Sequence, residues 1–382
     1  MMMSDRYSRT SKTGLHRSCW CALLSQARVF MWMLWDILLS LVRPLRALMG
    51  SYGGSTTITL QNGTRVRYGN TPIAEGGFSF VYDSKNTASG ERYALKKILC
   101  QVDEQKELAW AEIKAHREFS HPNLMPLRDW AFVGVPQGEL AFMLFPFLHG
   151  SLRDMIDSRV LGGGPFLGEA EALAIFAGVC KGVQALHDHM PSWAHRDIKP
   201  ENVMLTNGGT PVLMDFGSMA PAERRVRNRS EALAVQDEAS RHSTLPFRAP
   251  ELFDVSSDAV LDSRTDVWSL GCLLYALRFG YSPFECELVG GGRGSESRSG
   301  GPPGGHAGVR VVECTFLRVI GQVSFPSDGR VSDGLRELVL FTLEQDPLKR
   351  PFVGEVLERA VSLGGTEVGR SHIAIDISPS VE

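Results

Sequence analysis

The sequence HRDIKPEN at 195–202, followed by DFG at 215–217, constrains this chain more than any other feature. The first pattern, H-R-D-x-K-x-x-N, fixes five positions, and chance would place it in a chain of 382 residues about once in ten thousand. The segment between the two patterns predicts a short hairpin, because two apolar runs flank the turn residues Asn-Gly-Gly. That hairpin would bring Asp197 and Asp215 to one place, where two carboxylates suit a divalent cation.

These two motifs resemble the catalytic and metal-binding loops of eukaryotic protein kinases. The resemblance implies an α+β, bilobal fold with a small β-rich N-lobe and a larger helical C-lobe, and it implies ATP and Mg²⁺ as cofactors. Asp197 would accept the proton of a substrate hydroxyl, and Lys199 would stabilise the transferred phosphoryl group. Asn202 and Asp215 would each hold a magnesium ion. Lys199, in place of the Ala-Ala-Arg pattern of tyrosine kinases, implies serine and threonine hydroxyls as substrates.

The lysine that would bind phosphate lies upstream, in a stretch that resembles the V-A-I-K strand of protein kinases. The sequence YALK ends at Lys96, and Ala94 precedes it on the same face of the strand. Lys97 is the adjacent alternative, but alternation along a strand would point it to the opposite face. Lys96 is therefore expected to contact the α- and β-phosphates of ATP.

A carboxylate must hold this lysine in place, and the next helix offers two. Residues 104–119 have helical periodicity, and an apolar stripe runs beside Glu112. Glu107 is the alternative, but it leaves too little chain for the strand, the loop and the first helical turn. We therefore expect Glu112 to pair with Lys96.

The loop that would cover the phosphates has the sequence IAEGGFSFV and departs from the G-x-G-x-x-G-x-V pattern. The defined positions hold Ala74, Gly76, Ser79 and Val81, and Gly77 directly follows Gly76. Ala74 and Ser79 replace the first and the last glycine. Because glycine lets a backbone approach phosphate closely, Gly76 and Gly77 are expected to keep that approach open.

The segment LFPF at 144–147 would form the hinge that contacts adenine. Leu144 is expected to be its gatekeeper, and Phe147 is expected to contact the nucleotide. The end of an apolar strand would give the same pattern without any role in binding.

Residues after the DFG motif are expected to support the site. Thr244 resembles the threonine that bridges the catalytic base and the adjacent lysine. Glu251 ends the sequence APE and requires a buried partner, because an unpaired buried charge is costly; Arg350 resembles that partner. Asp266 opens an apolar helix and resembles the aspartate that accepts backbone hydrogen bonds from the catalytic loop.

Longer stretches resemble lipid-anchored serine/threonine kinases of the Numb-associated kinase family. They are EGGFSFV, YALKKILC, AHRDIKPEN, PVLMDFGSM, FRAPELF and RTDVWSLGCLLYA. Members of that family can carry a helix inside the activation segment, and a helix is predicted here over 230–240, with Ser230 as its N-cap. This helix implies a weaker dependence on phosphorylation of the segment, although nearby arginines leave a phosphorylation switch as the alternative.

The rest of the sequence divides the chain into parts of different composition. The predicted parts are an N-terminal extension (1–55), a kinase domain (67–362) with its N-lobe (67–145) and C-lobe (146–362), a Gly-rich insertion (287–309) and a short polar tail (363–382). The extension is predicted to be disordered at first and then apolar and amphipathic. The insertion has too few apolar side chains to pack into a core.

Residues 19–43 are apolar but are interrupted by Arg28 and Asp36, so a membrane-spanning helix is not expected. Basic residues and three tryptophans predict a helix that lies in a membrane interface, which implies peripheral membrane association. By family resemblance, the protein would be cytoplasmic and associated with Golgi or other endomembranes. An organellar transit peptide and a mispredicted extension are the alternatives.

Composition excludes two classes of function, and the kinase resemblance supplies the expected partners. The net charge of −3 gives no sign of nucleic-acid binding, and seven scattered cysteines form no zinc-binding pattern. Protein substrates are the expected partners, and the chain is expected to be monomeric. The alternative to an active kinase is a membrane-tethered pseudokinase scaffold, which the substitutions at Ala74 and Ser79 suggest and the retained Lys96, Glu112 and Asp197 oppose.

Overall fold

The computed structural model describes residues 54–76, 79–161, 167–288, 309–325 and 331–365. By its internal contacts the chain divides into two units, which are Met1–Thr56 with Tyr68–Thr71, and Thr57–Arg67 with Pro72–Glu382. Of the first unit only 54–56 and 68–71 are described, and they include the ends of two strands. The second unit contains an α+β, bilobal fold.

A curled antiparallel sheet makes up most of the N-lobe. Its strands are β1 (Ser55–Thr59), β2 (Arg65–Gly69), β3 (Ala74–Glu75), β4 (Ser79–Asn86), β5 (Arg92–Cys100), β6 (Asp129–Val135) and β7 (Gly138–Pro146). They lie in the order β1-β2-β4-β5-β7-β6, and β3 pairs with β4. β7 lies between two strands, and its residues 141–145 are buried.

Helices form most of the C-lobe. The helices of the described chain are α1 (Asp103–Glu118), which belongs to the N-lobe, α2 (Leu152–Leu161), α3 (Glu169–His187), α4 (Arg229–His242), α5 (Arg264–Phe279), α6 (Phe316–Val319), α7 (Asp333–Thr342) and α8 (Val353–Gly364). α5 is the central helix, since nearly all of its residues are buried. At Gly271 it approaches α7 so closely that a Cβ atom would lie 2.3 Å from the Thr342 hydroxyl.

Short strand pairs connect the functional segments of the C-lobe. They are formed by β8 (Trp193–Ala194) with β11 (Ala220–Pro221), β9 (Val203–Leu205) with β10 (Pro211–Leu213), β12 (Arg224–Arg225) with β13 (Val260–Leu261), and β14 (Cys286–Leu288) with β15 (Val309–Val311). The hairpin of β9 and β10 is the one predicted between the two motifs. Its turn includes Gly209, whose φ of 76° favours glycine.

The helix predicted over 230–240 is present as α4. Its N-cap is Asn228 rather than Ser230, because the Asn228 side chain accepts a hydrogen bond from the Glu231 N–H at 2.9 Å. In return, the Glu231 carboxylate accepts from the Arg227 N–H at 2.9 Å. These two bonds, one to Asn228 and one from Arg227, therefore fix the start of the helix upstream of the predicted cap.

Residues at both ends of the predicted Gly-rich insertion belong to a strand pair. Glu287 and Val309, which lie at the predicted ends of the insertion, belong to the β14–β15 pair, in which Glu287 opposes Arg310. The Glu287 carboxylate also pairs with Arg310 and Arg318, so ionic contacts reinforce this strand pair. Residues 289–308 lie outside the described residues.

Within the described part of the chain, no helix is both long and apolar enough to cross a bilayer. The predicted interfacial helix at 19–43 lies outside the described residues.

Candidate active site

A cleft of about 470 Å³ is lined by residues of the N-lobe sheet and of the C-lobe. The predicted residues that line it are Ala74, Val81, Ala94, Lys96, Glu112, Phe147 and Asp215. Gly76 does not line the cleft. Its N–H donates to the Ser79 carbonyl at 2.8 Å, and this hydrogen bond closes the turn between β3 and β4. Gly77 lies outside the described residues.

Lys96 of β5 forms an ion pair with Glu112 of α1. Its Nζ lies 2.6 Å from Glu112 Oε1 and 3.4 Å from Asp215 Oδ1, and both Lys96 and Glu112 are largely buried. Burial acts to lower the pKa of Lys96, but the two carboxylates outweigh it and raise that pKa above its ordinary value. Burial raises the pKa of Glu112, and attraction to Lys96 acts against it. The 2.6 Å contact between Lys96 and Glu112 is that of an ion pair, so Lys96 is charged and is held at the wall of the cleft.

The expectation that Leu144 is the gatekeeper is wrong. Leu144 opposes Leu95 across β5 and β7, is fully buried, and does not line the cleft. Directly opposed residues of antiparallel strands share a face of the sheet, and Phe145 opposes Ala94. Phe145 therefore faces the cleft and takes the place that was expected for Leu144.

The other three predicted catalytic residues all contact the Asp197 carboxylate. Thr244 and Asn202 donate hydrogen bonds to it, and Lys199 forms an ion pair with it. The Thr244 hydroxyl and N–H donate to Asp197 Oδ1 at 2.6 Å and 3.0 Å. Lys199 Nζ lies 2.8 Å from Asp197 Oδ2 and donates to the Thr244 hydroxyl at 2.7 Å. Asn202 Nδ2 donates to Asp197 Oδ2 at 2.9 Å and to its carbonyl at 2.8 Å. These contacts fix the carboxylate in one orientation.

One buried aspartate holds the loop that carries this carboxylate. Asp266, at the start of α5, accepts from the His195 N–H at 2.7 Å and from the Arg196 N–H at 2.8 Å. His187 lies 2.9 Å from the same carboxylate. Burial acts to raise the pKa of Asp266, but the bonds from His187 and from the backbone outweigh it and lower that pKa, so the group is charged.

Backbone strain is concentrated in the two motifs. Among the described residues, the non-glycine residues with positive φ are Arg196, at 68°, and Asp215, at 66°. Such conformations cost about 1–3 kcal/mol each and persist only where surrounding contacts impose them. At the catalytic loop, the two backbone hydrogen bonds that Asp266 accepts hold Arg196 in this strained conformation. Strain concentrated in these two motifs indicates a functional site.

Four aromatic rings form a row from the cleft to the catalytic loop, and our sequence reasoning did not foresee it. The ring centroids of Phe145 and His116 lie 4.9 Å apart, and His116 stacks on Phe216 at 4.1 Å. Phe216 meets His195 edge-on at 5.9 Å. The available signal was the i,i+4 spacing of His116 from Glu112, which puts both on one face of α1. The row couples the position of Glu112 to the DFG segment.

His116 is an uncharged core histidine. Its Nδ1 donates to the Met125 carbonyl at 2.9 Å, and its buried Nε2 has no hydrogen-bond partner among the described residues. Burial lowers the pKa of His116 to about 4, and only the bond to Met125 and the nearby Asp215 oppose this. The neutral ring is thus the form that fits between Phe145 and Phe216.

Glu251 and Arg350 form the buried ion pair that the sequence predicts. Arg350 Nη1 and Nη2 donate to the two Glu251 oxygens at 2.7 Å and 3.0 Å. Arg350 also donates to the carbonyls of Glu344 and Arg264. This pair fastens the end of the activation segment to the segment between α7 and α8.

The oxygen donors next to Asp197 fit Mg²⁺. Among the described residues no group of three or more His, Cys, Asp or Glu side chains is placed to bind a metal. Mg²⁺ needs only one or two protein ligands, because phosphates and water fill its other positions. Asn202 uses its Nδ2 on Asp197, which leaves Oδ1 as a ligand. Burial acts to raise the pKa of Asp215, but the charge of Lys96 and its hydrogen bond act against it, and that pKa lies below its ordinary value, so the carboxyl is ionised.

Comparison with known proteins agrees with this geometry. Residues 70–361 match the family described as protein kinase domain. Serine/threonine-protein kinase 16 of Rattus norvegicus is 37% identical over 292 residues, which cover 76% of this chain and 88% of that protein. Serine/threonine-protein kinase ENV7 of Saccharomyces cerevisiae is 30% identical over 341 residues, covering 75% of this chain and 88% of ENV7. Serine/threonine-protein kinase ppk13 of Schizosaccharomyces pombe is 32% identical over 321 residues, covering 75% and 87%.

Proposed function

The chain belongs to the protein kinase family and is a serine/threonine protein kinase, and we propose that Asp197 is the base of its phosphotransfer reaction. The observation that carries this proposal is the set of contacts around Asp197. Thr244 and Asn202 orient the carboxylate, which would accept the proton from the hydroxyl of a bound serine or threonine. Lys199 lies beside it and supplies positive charge to the γ-phosphoryl group during transfer.

ATP would bind in the cleft between the N-lobe sheet and the C-lobe residues that line it. Lys96, held by Glu112, would contact the α- and β-phosphates. Ala94, Val81 and Phe147 offer an apolar surface for adenine, with Phe145 at the back of the cleft. Ala74 of the covering loop lines the cleft, and Gly76 and Gly77 are the glycines that the sequence offers for close approach of the backbone to phosphate.

Asn202 and Asp215 are the proposed magnesium ligands. When bound, the cation neutralises charge on the β- and γ-phosphates. The chain's own contribution is to hold the Asp215 carboxylate ionised and close to Lys96. Asn202 also orients the catalytic base, which ties the position of the metal ligand to that of Asp197.

Autophosphorylation of the full chain tests this proposal. Wild-type protein with Mg·ATP is expected to incorporate phosphate on serine or threonine, and Asp215→Ala is expected to abolish it. Asp237→Asn, at an exposed position of α4, is the matched control and should behave as wild type. Folded wild-type protein that is inert at millimolar Mg·ATP would instead favour the pseudokinase scaffold, against which the intact contacts of Lys96 and Asp197 argue.

The more specific expectations rest on the sequence. We place the kinase domain at 67–362 and the chain nearest to the Numb-associated kinases, which its helical activation segment supports. Residues 19–43 are the proposed peripheral membrane anchor of a monomeric, cytoplasmic kinase. A fluorescent protein carrying residues 1–50 should concentrate on endomembranes; a diffuse signal would contradict the anchor, and an organellar signal would indicate a transit peptide.

A further inference from the structure

A single carboxylate of the activation segment lies against the arginine next to the catalytic base. Glu238, on α4, receives a hydrogen bond from Arg196 Nη1 at 2.5 Å on one oxygen and from Arg224 Nη1 on the other. Arg196 immediately precedes Asp197 in the chain. Burial acts to raise the pKa of Glu238, but the two arginines outweigh it and lower that pKa, so the carboxylate is charged.

The helix that carries Glu238 is firmly attached to the C-lobe. Ala232, Val235 and Ala239 of α4 are buried and belong to the hydrophobic core of this lobe. Gln236 Nε2 also donates to the Phe253 carbonyl at 2.6 Å. Packing and hydrogen bonding thus fix the position of α4, and with it the position of Glu238 next to Arg196.

Arg196 connects three parts of the site through its side chain and backbone. Its N–H is bound by Asp266, its Nη2 donates to the Pro221 carbonyl at 3.3 Å, and its Nη1 binds Glu238. The side chains of Arg196 and Arg224 are only 16% and 34% exposed, and their ion pairs within the described part of the chain are those with Glu238, so without it they would share one site unpaired. Their repulsion would displace Arg196, and with it the strained backbone next to Asp197.

We propose that Glu238 is a built-in counter-ion that positions Asp197 through Arg196, so that the kinase is active without phosphorylation of its activation segment. A phosphate on such a segment acts by ordering it through new arginine contacts, and Glu238 already supplies these contacts. Thr244 and Ser243, the hydroxyl residues next to the end of α4, are engaged with Asp197 and with Arg248. Glu238 is a positioning residue, since it acts through Arg196.

The inference rests on the proposed function, and it is tested by kinetics of phosphatase-treated, full-length protein. Wild type and Asp237→Asn should remain active after this treatment. Glu238→Gln should lower kcat for a protein substrate about tenfold, the usual size for a lost charge-assisted bond. The KM for ATP should stay within about twofold, because Glu238 does not line the cleft.

A double-variant comparison separates positioning from a general loss of stability. In an Arg196→Gln background, Glu238→Gln should cause little further loss of kcat, because the pathway through Arg196 is already broken. Glu238→Asp keeps the charge and should have a kcat between those of wild type and Glu238→Gln. This variant also keeps the test informative if Glu238→Gln folds poorly.

Three results would overturn the inference: a wild-type kcat in Glu238→Gln, an equal loss in the Arg196→Gln background, or phosphatase-treated wild type that is inert until rephosphorylated. Wild type that is inert in every phosphorylation state would instead overturn the assignment of Asp197 as an active base.

Discussion

Arg350→Met is expected to destabilise the C-lobe strongly, because it removes one partner of a buried ion pair. The Arg350 side chain is fully buried, and that of Glu251 is 12% exposed. The substitution deletes both bonds to Glu251, the bonds to the Glu344 and Arg264 carbonyls and the packing of the guanidinium 5.1 Å from the Trp268 ring centroid. Methionine fills much of the volume, so the chief effect is the unpaired Glu251 carboxylate.

The expected loss in the free energy of unfolding is about 3–5 kcal/mol, the range for breaking a buried pair at one partner. For a domain of this size that corresponds to a fall in Tm on the order of 10 °C. The double variant Glu251→Gln/Arg350→Met should melt at a higher temperature than Arg350→Met alone, because no charge is left buried without a partner.

Differential scanning calorimetry and urea unfolding would measure both variants. Arg241→Met is the matched control, since the pair of Arg241 with Asp237 is exposed and spans 3.7 Å; it should change stability by less than about 0.5 kcal/mol. A wild-type melting temperature in Arg350→Met, or a double variant less stable than the single one, would refute the role given to this pair.

Three further predictions follow from the site. Acid should weaken the fold through His116, because its pKa is about 4 when folded and about 6.5 when unfolded, so the unfolded state binds more protons between these values. The free energy of unfolding should fall by about 2 kcal/mol from pH 7.5 to pH 5 on this account alone, and His116→Gln should show a smaller slope in denaturation measured over that range. Asp266→Asn should lower kcat about ten- to hundredfold, with little change in the KM for ATP, because an amide cannot accept both backbone N–H bonds that hold Arg196; equal kcat values would refute this. Phe145→Ala should change the KM for ATP, whereas Leu144→Ala should lower stability by about 2–5 kcal/mol and leave that KM unchanged; the reverse pattern in steady-state kinetics and thermal unfolding would restore Leu144 as the gatekeeper.

Much of the site can be predicted from local sequence motifs. Asp197, Lys199 and Asn202 lie within one loop, so their spacing alone determines that they can meet. Strand alternation separated Lys96 from Lys97, and helical periodicity selected Glu112. The resemblance to the V-A-I-K strand indicated the role of the lysine, and the periods of regular secondary structure then chose between neighbouring candidates.

The failures arose where tertiary pairing decides the outcome. Leu144 and Phe145 are both apolar neighbours in one strand, and only the register of β7 on β5 determines which one faces the cleft. The role of Glu238 depends on how α4 packs, which no local pattern encodes. His116 was overlooked because its i,i+4 spacing from Glu112 shows only that both residues lie on one face of α1, whereas its stacking on Phe216 depends on tertiary packing.

Phosphotransfer by Asp197→Asn, measured beside ATP binding, tests most directly that Asp197 is the base of an active kinase. Wild-type protein with Mg·ATP should phosphorylate serine or threonine residues of a protein substrate. Asp197→Asn should bind ATP with unchanged affinity, because Asp197 does not line the cleft, and should transfer phosphate about 10²–10⁴-fold more slowly. Equal rates for the two proteins, or folded wild type that binds ATP and transfers nothing, would contradict the assignment.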